Sequence, residues 1–289
     1  MSLKHSALAL AYHPLRLGNS ALRLFGKRPA GRLRVLIFHD IPLREEARFA
    51  AHLRWLNQSW KFIDKARFEA MISGEEAVRE DSLLLTFDDG FASNRRIAEK
   101  VLNPMGIRGL FFVVSSFAAL TEKDDWRGFV ARNIYPRMRP EDVPEYSRNM
   151  TWDDLAYLLE TGHAIGGHTA SHARLSQLGP ENLQTEIVES ADILEMRLGV
   201  TIDHFAYTFG DLDSFSKEAL GIARSRFRFI HTSLRGENAQ GVPPWAIRRD
   251  AIQPADSYSL VGALLEGGAD RLYRDSISTY ESWGNRSCA

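Results

Sequence analysis

The apolar positions of this chain fall into short unbroken runs separated by stretches of helical spacing. Arg34-Val35-Leu36-Ile37-Phe38, Leu83-Leu84-Leu85-Thr86-Phe87 and Arg108 to Val114 are such runs, the pattern of strands covered on both faces. Between them, Arg44 to Leu56, Ala66 to Ile72 and Ala92 to Leu102 carry apolar residues at helical intervals, and Asn103-Pro104 stops the last of these. Further on, Thr151-Trp152-Asp153-Asp154 opens a helix through a capping box, and Glu181 to Leu198 is a long amphipathic helix ended by Gly199. His204 to Gly210 is another strand end. Strand, helix, strand in this rhythm implies parallel pairing through right-handed crossovers. The expectation is an α/β fold, a single irregular (β/α) barrel of seven or eight mostly parallel strands over residues 31–289.

Two stretches break the rhythm. Residues 115–149 are polar, contain Pro136, Pro140 and Pro144, and are too long for an ordinary connection, which marks an inserted lid or groove wall. Residues 1–30 form a basic amphipathic arm in which Leu15, Leu17, Leu22, Leu24 and Phe25 alternate with Lys4, Arg16, Arg23, Lys27 and Arg28. Residues 1–28 could lie on an anionic membrane surface, or pack as a helix on the barrel wall. The apolar stretch Ser6 to Tyr12 is too short to span a bilayer, and no A-x-A-like cleavage site follows it, so no export signal is read.

Composition narrows the classes. A net charge of −1 with both signs interspersed gives no nucleic-acid footprint. The single cysteine, Cys288, excludes an intrachain disulfide framework and agrees with a reducing compartment. The location expected is cytoplasmic, with the inner membrane face reached through the arm. Composition does not set the oligomeric state.

Chemistry concentrates at strand ends. Leu83 to Phe87 runs into Asp88-Asp89-Gly90, where two adjacent carboxylates leave the strand toward different sides and the glycine permits a sharp turn. The same three residues also read as a turn capping the next helix. Downstream, Gly162 to His172 holds His168 and His172, whose spacing of four suits two imidazoles on one side of a helical turn. With Asp89 they make a two-His, one-carboxylate set that leaves positions open for water and substrate.

Thr86-Phe87-Asp88-Asp89-Gly90 and His168-Thr169-Ala170-Ser171-His172 resemble, in order and separation, the first two motifs of the polysaccharide deacetylases with a NodB-homology domain. The resemblance runs from about Arg34 to Gln253. It implies that Asp88 is the catalytic base and that Asp89, His168 and His172 hold one divalent metal, zinc first, with nickel or cobalt also fitting. His39-Asp40 after the first strand is similar to the Tyr-His-Asp of the poly-N-acetylglucosamine deacetylase branch, which implies that His39 is the general acid. His204 to Gly210 resembles the third motif, implying that Phe209 N–H donates to the oxyanion and that Tyr207 and Gly210 lie at the substrate. Thr208 stands where the family usually has Pro, and the Arg that precedes that motif in many members is missing. Arg248 or Arg249 would replace it, with Arg249 placed at the substrate site. The late Leu-x-His motif is not found, because Phe229-Ile230-His231 has neither its spacing nor its location. Trp126, Tyr135 and Tyr146 of the insert either stack on sugar rings or form the small core that holds the insert together.

The function implied is metal-dependent removal of N-acetyl groups from amino sugars of a bacterial-type poly- or oligosaccharide or its lipid-linked precursor. The alternatives are an O-acetyl esterase on the same kind of glycan, a glycan-binding protein without turnover, and a metal-dependent hydrolase of unrelated substrates.

Overall fold

The structure, a computed structural model, describes residues 3–239 and 241–285, with side chains from His5 onward. Cys288, the Lys4 side chain and the first two residues of the arm lie outside the described set.

Eight strands are present among the described residues: β1 (Leu33–Phe38), β2 (Lys61–Ile63), β3 (Ser82–Phe87), β4 (Gly109–Val113), β5 (Ala164–Gly167), β6 (His204–Ala206), β7 (Phe229–His231) and β8 (Asp250–Ala251). The sheet order is β7-β6-β5-β4-β3-β1-β8, with β2 paired to the first half of β3 beside β4. Every pairing between these strands is parallel. The chain ahead of β8 closes the ring: Ile247 bridges His231, donating to Ile230 O at 3.0 Å, and Thr232 N–H donates to Ile247 O at 2.9 Å. The expected irregular barrel of seven or eight strands is therefore what forms.

All positions of β1, β3 and β4 are buried, as runs without alternation require when one face meets helices and the other a barrel interior. The period of two still sorts them. Leu33, Val35, Leu84, Leu110, Phe112, Ala206, Phe229 and Ile247 form one cluster drawn from strands around the ring, which is the interior. Their neighbours Leu36, Phe38, Leu83, Leu85, Phe87, Phe111, Phe205 and Ile230 pack outward into a larger cluster shared with the helices.

The helices form where the spacing predicts, at Leu43–Leu56, Lys65–Ser73, Ala92–Ile97 with a wider turn to Leu102, and Pro180 to Leu198. Thr151 and Asp154 make the reciprocal capping box of Trp152–Glu160, and Gly199 ends the long helix at φ 67°. The insert is more ordered than a proline-rich loop would suggest. It folds into helices Ser115–Ala118 and Lys123–Phe129 and several single turns around its own core of Phe91, Phe117, Trp126, Phe129, Val130, Ile134 and Val143. Trp126 is thus a core residue of the insert.

Candidate active site

Strand parity, continued one step past each strand end, delivers the site. On β1 the interior positions Leu33 and Val35 lead to His39; on β3, Leu84 and Thr86 lead to Asp88. On β5, Gly166 leads to His168, and beyond β7 the interior Ile247 leads to Arg249. Side chains from three strand ends and from the segment leading into β8 thereby meet at the C-terminal mouth, where such barrels place their chemistry.

Asp88 is fixed by a two-pronged ion pair. Arg249 Nη1 donates to Oδ1 at 2.7 Å and Nη2 to Oδ2 at 2.9 Å, and both residues are buried. The guanidinium is itself held by Nε–H donating to Thr232 O at 2.9 Å and Nη1 to Thr86 Oγ1 at 3.3 Å. The planar fork leaves one orientation open to the carboxylate. Arg248 has the opposite parity and faces outward to Glu281 at 2.9 Å, so the arginine beside Asp88 is Arg249.

Asp89 turns away from Asp88 because its backbone is left-handed, φ 74°, followed by Gly90 at 91°. Its Oδ1 lies 3.4 Å from His168 Nε2 and 3.2 Å from His172 Nε2. The far nitrogens decide what this means. His168 Nδ1 is 2.8 Å from Ala206 O and His172 Nδ1 is 2.9 Å from Asn133 O. A carbonyl only accepts, so each Nδ1 carries the hydrogen and each neutral ring turns a bare Nε2 lone pair to the carboxylate. Asp89 Oδ1 is buried with no hydrogen-bond partner, and the three ligand atoms lie within 4.8 Å of one another. Converging acceptors with no donor among them fit a divalent cation. Burial alone would raise the Asp89 carboxyl, but positive charge at the His168 and His172 nitrogens would hold it well below the usual carboxylate range. Burial likewise lowers His172, and Asp89 outweighs it, leaving the imidazole raised. Both shifts have one origin, a cluster that draws in positive charge.

The two histidines do not share a helix, as their spacing suggested. His168 follows β5 directly, and the chain to His172 is a loop with left-handed residues at Thr169, φ 66°, and His172, φ 62°. The loop is closed by His172 N–H donating to Thr169 Oγ1 at 3.0 Å, and Glu186 accepts from Ala170 and Ser171 N–H at 3.0 and 2.9 Å.

Phe209 is left-handed too, φ 62°, ahead of Gly210 at 71°. A Cβ at Gly210 would collide with Ser233, so glycine is required there. The Phe209 ring meets His172 edge-on, centroids 4.8 Å apart, with Arg174 over its other side at 4.6 Å. Its N–H has no partner among the described residues. Asp89, Thr169, His172 and Phe209 are the four non-glycine residues of positive φ among those described, and all border this mouth.

His39 lies near enough to Asp89 to lower that carboxyl electrostatically, and its carbonyl is held by Asn94 Nδ2 at 2.9 Å. Tyr207 is different from what the motif suggests. Its parity is outward, its ring stacks on Phe215 at 4.0 Å, and its hydroxyl meets Tyr280 at 3.3 Å in the core, away from the mouth.

Several further residues at the mouth were given no role by the motifs. Asp40 accepts from Ser93 Oγ at 2.7 Å and Ser147 Oγ at 2.6 Å, while burial raises its carboxyl. Asn133 orients His172 from the insert. Tyr135 is stacked on Phe91, and burial and then the Asp89 and Asp40 charges push its hydroxyl up. Tyr146 is half-buried, 5.9 Å from the Arg44 guanidinium. The polar pair His39-Asp40 was a visible signal for Asp40; Asn133 and Ser147 had none. A second His-carboxylate group, Glu69, Asp203 and His204, already holds a cation, because Lys65 Nζ lies 2.7 Å from Glu69 and 3.0 Å from Asp203.

Comparison with known proteins agrees with this geometry. A profile of the family described as polysaccharide deacetylase matches residues 75–225, a span that holds Asp88, Asp89, His168 and His172. The Bacillus subtilis (strain 168) protein YxkH, provisionally named a polysaccharide deacetylase, is 22% identical over 247 residues, 83% of this chain and 78% of its own. Among solved structures, IcaB from Ammonifex degensii is similar with a TM-score of 0.65 at 24% identity, covering 82% of this chain and 98% of that one. The Streptococcus pyogenes deacetylase PplD, solved in complex with acetate, reaches a TM-score of 0.64 at 18% identity over 81% of this chain and 98% of its own. Profile, relative and fold agree with one another, and the chain belongs to the polysaccharide deacetylase family.

Proposed function

We propose that the protein is a metal-dependent N-deacetylase acting on an N-acetylated amino sugar within a glycan. The observation that carries this is the meeting of Asp89 Oδ1 with two Nε2 lone pairs, next to a carboxylate, Asp88, that an arginine locks in place. Asp89, His168 and His172 would hold the ion, for which zinc, nickel and cobalt all suit the donor set. When bound, such an ion supplies Lewis acidity toward an amide carbonyl and toward water.

The remaining roles belong to the chain. Asp88 accepts the proton of the attacking water; with both oxygens gripped by Arg249, it uses the lone pairs directed into the mouth. Phe209 N–H, unpartnered within the protein, donates to the oxyanion that develops on the carbonyl oxygen. His39 gives a proton to the departing amine. Asn133 and Tyr135 would bring the ordered insert beside the bound sugar.

The test is acetate release from a panel of N-acetylglucosamine oligomers and O-acetylated glycans, with and without a chelator. Release from the amide substrates, abolished by chelation and restored by zinc, is expected. Chelator-insensitive release would overturn the metal role, and release from esters alone would assign the site to O-deacetylation.

A further inference from the structure

The N-terminal arm is half accounted for by packing. Helices Leu3–Leu10 and Tyr12–Leu24 lie against the helix Tyr258–Leu265, where Gly262 admits the Tyr12 ring and Gly268 admits Leu8 and Leu15. Asn19 Nδ2 donates to Glu266 O at 3.0 Å and Oε2 at 2.6 Å, and Arg23 pairs with Asp81 at 2.7 Å. That inner face is packed against the domain, with Asn19 and Arg23 paired across it. The outer face is not. Leu17 and Leu24, seven residues apart and so on one stripe of Tyr12–Leu24, are 72% and 84% exposed, with Leu10 at the end of the preceding helix at 82% and Phe25 after Leu24 at 74%. Five of the eleven large hydrophobic side chains exposed among the described residues fall between Leu10 and Phe25.

Charge says what covers this stripe. No Asp or Glu precedes Asp40, whereas Arg16, Lys27 and Arg28 flank the exposed leucines. A second copy docking by a two-fold axis would set these cations against their own equivalents. A surface of anionic lipid headgroups takes both the apolar stripe and the cations. We propose that the outer face of residues 10–28 is a peripheral anchor for an anionic membrane surface. No helix of the described residues is long and apolar enough to cross a membrane, so the attachment is superficial. Asp81 precedes β3, and Arg23 therefore meets the barrel at the N-terminal ends of its strands, opposite the catalytic mouth. Anchoring by this face leaves the mouth open to solvent.

The test uses the full chain and sedimentation with vesicles of phosphatidylglycerol mixed with phosphatidylcholine, against phosphatidylcholine alone. The protein is expected to sediment with the anionic vesicles and to be released by high salt. The variant Leu10→Ser/Leu17→Ser/Leu24→Ser/Phe25→Ser is expected to lose sedimentation. In Arg16→Gln/Lys27→Gln/Arg28→Gln each lost cation weakens partition about five-fold, a combined loss of about 10²-fold. The altered residues are exposed, apart from half-buried Arg28, and both variants should melt as the wild type does. Saturating anionic vesicles should leave deacetylation of a soluble N-acetylglucosamine oligomer unchanged. Sedimentation is read without turnover, so it stands apart from the glycan reading. No binding of the full chain to anionic vesicles, or equal binding by either variant, would overturn the proposal. So would a wild-type dimer that becomes monomeric in the serine variant without vesicle binding, and inhibition by vesicles would overturn the orientation.

Discussion

Each end of β5 carries a buried histidine, and the two are built on opposite plans. Before the strand, His163 Nδ1 accepts Gly109 N–H at 3.0 Å and Nε2–H donates to Asn103 Oδ1 at 3.0 Å, so the neutral ring is fully used. Burial, and then the Arg108 charge, push its pKa down to about 4. After the strand, His168 has one satisfied nitrogen and turns the other toward an oxygen that also lacks a proton. The same contrast separates the two ends of the barrel. At the N-terminal end Arg32 meets Asp81 and Glu266, each at 2.7 Å, and Arg34 meets Asp250 and Asp270 at 3.1 and 2.6 Å. There every buried charge faces its opposite. At the C-terminal end Asp88 has Arg249, but around Asp89 acceptors face acceptors, on a backbone left-handed at four non-glycine residues. Matched polar burial specifies a fold; unmatched polar burial, held by strain, specifies a ligand.

That contrast can be broken at several points. The largest effect belongs to His39→Gln, which removes the proposed proton donor but neither a metal ligand nor a structural partner. Turnover should fall by about 10²–10⁴-fold with melting temperature and metal content unchanged. A modest rate change would make His39 a space-filling strand end. Next is Arg249→Lys, which keeps the charge and loses the fork; a base displaced by about an ångström should cost about 10²-fold in kcat while KM changes little. Steady-state kinetics separates these.

On the saturated side, His163→Gln sharpens the comparison through stability instead of rate. The folded state holds His163 neutral down to about pH 4, while the unfolded chain takes up a proton near 6.5. Its contribution is therefore complete above pH 6.5 and is lost as pH falls from 6.5 toward 4, by about 3 kcal/mol. Glutamine also accepts and donates but does not titrate. Denaturant unfolding of His163→Gln should show a flatter decline across that window, with deacetylation at neutral pH retained. A pH dependence identical to the wild type would show that the ring is not held neutral.

The parts of this design that were legible in the sequence are those confined to one stretch of chain. Asp88-Asp89-Gly90 and the His168, His172 pair stood out because each sits where an apolar run stops. Parity was legible too, and carried one step past the strand ends it separates Arg249 from Arg248 and sends Tyr207 outward; a motif reading alone put Tyr207 at the substrate. What pattern could not show is contact at long range. Asn133 O, Ala206 O and Ser147 Oγ complete the surroundings of His172, His168 and Asp40 from elsewhere in the chain. Nor does any residue type announce left-handed Thr169 or His172, since only tertiary packing overrides their preference.

The central claim is that Asp89, His168 and His172 form a metal centre, and calorimetric titration of the chelator-treated full chain with zinc tests it most directly. The expected result is one site per chain in the wild type and in His163→Gln, and no such site in Asp89→Ala or His168→Ala, each still folded by circular dichroism. Zinc binding that survives in Asp89→Ala with unchanged affinity and stoichiometry would contradict it.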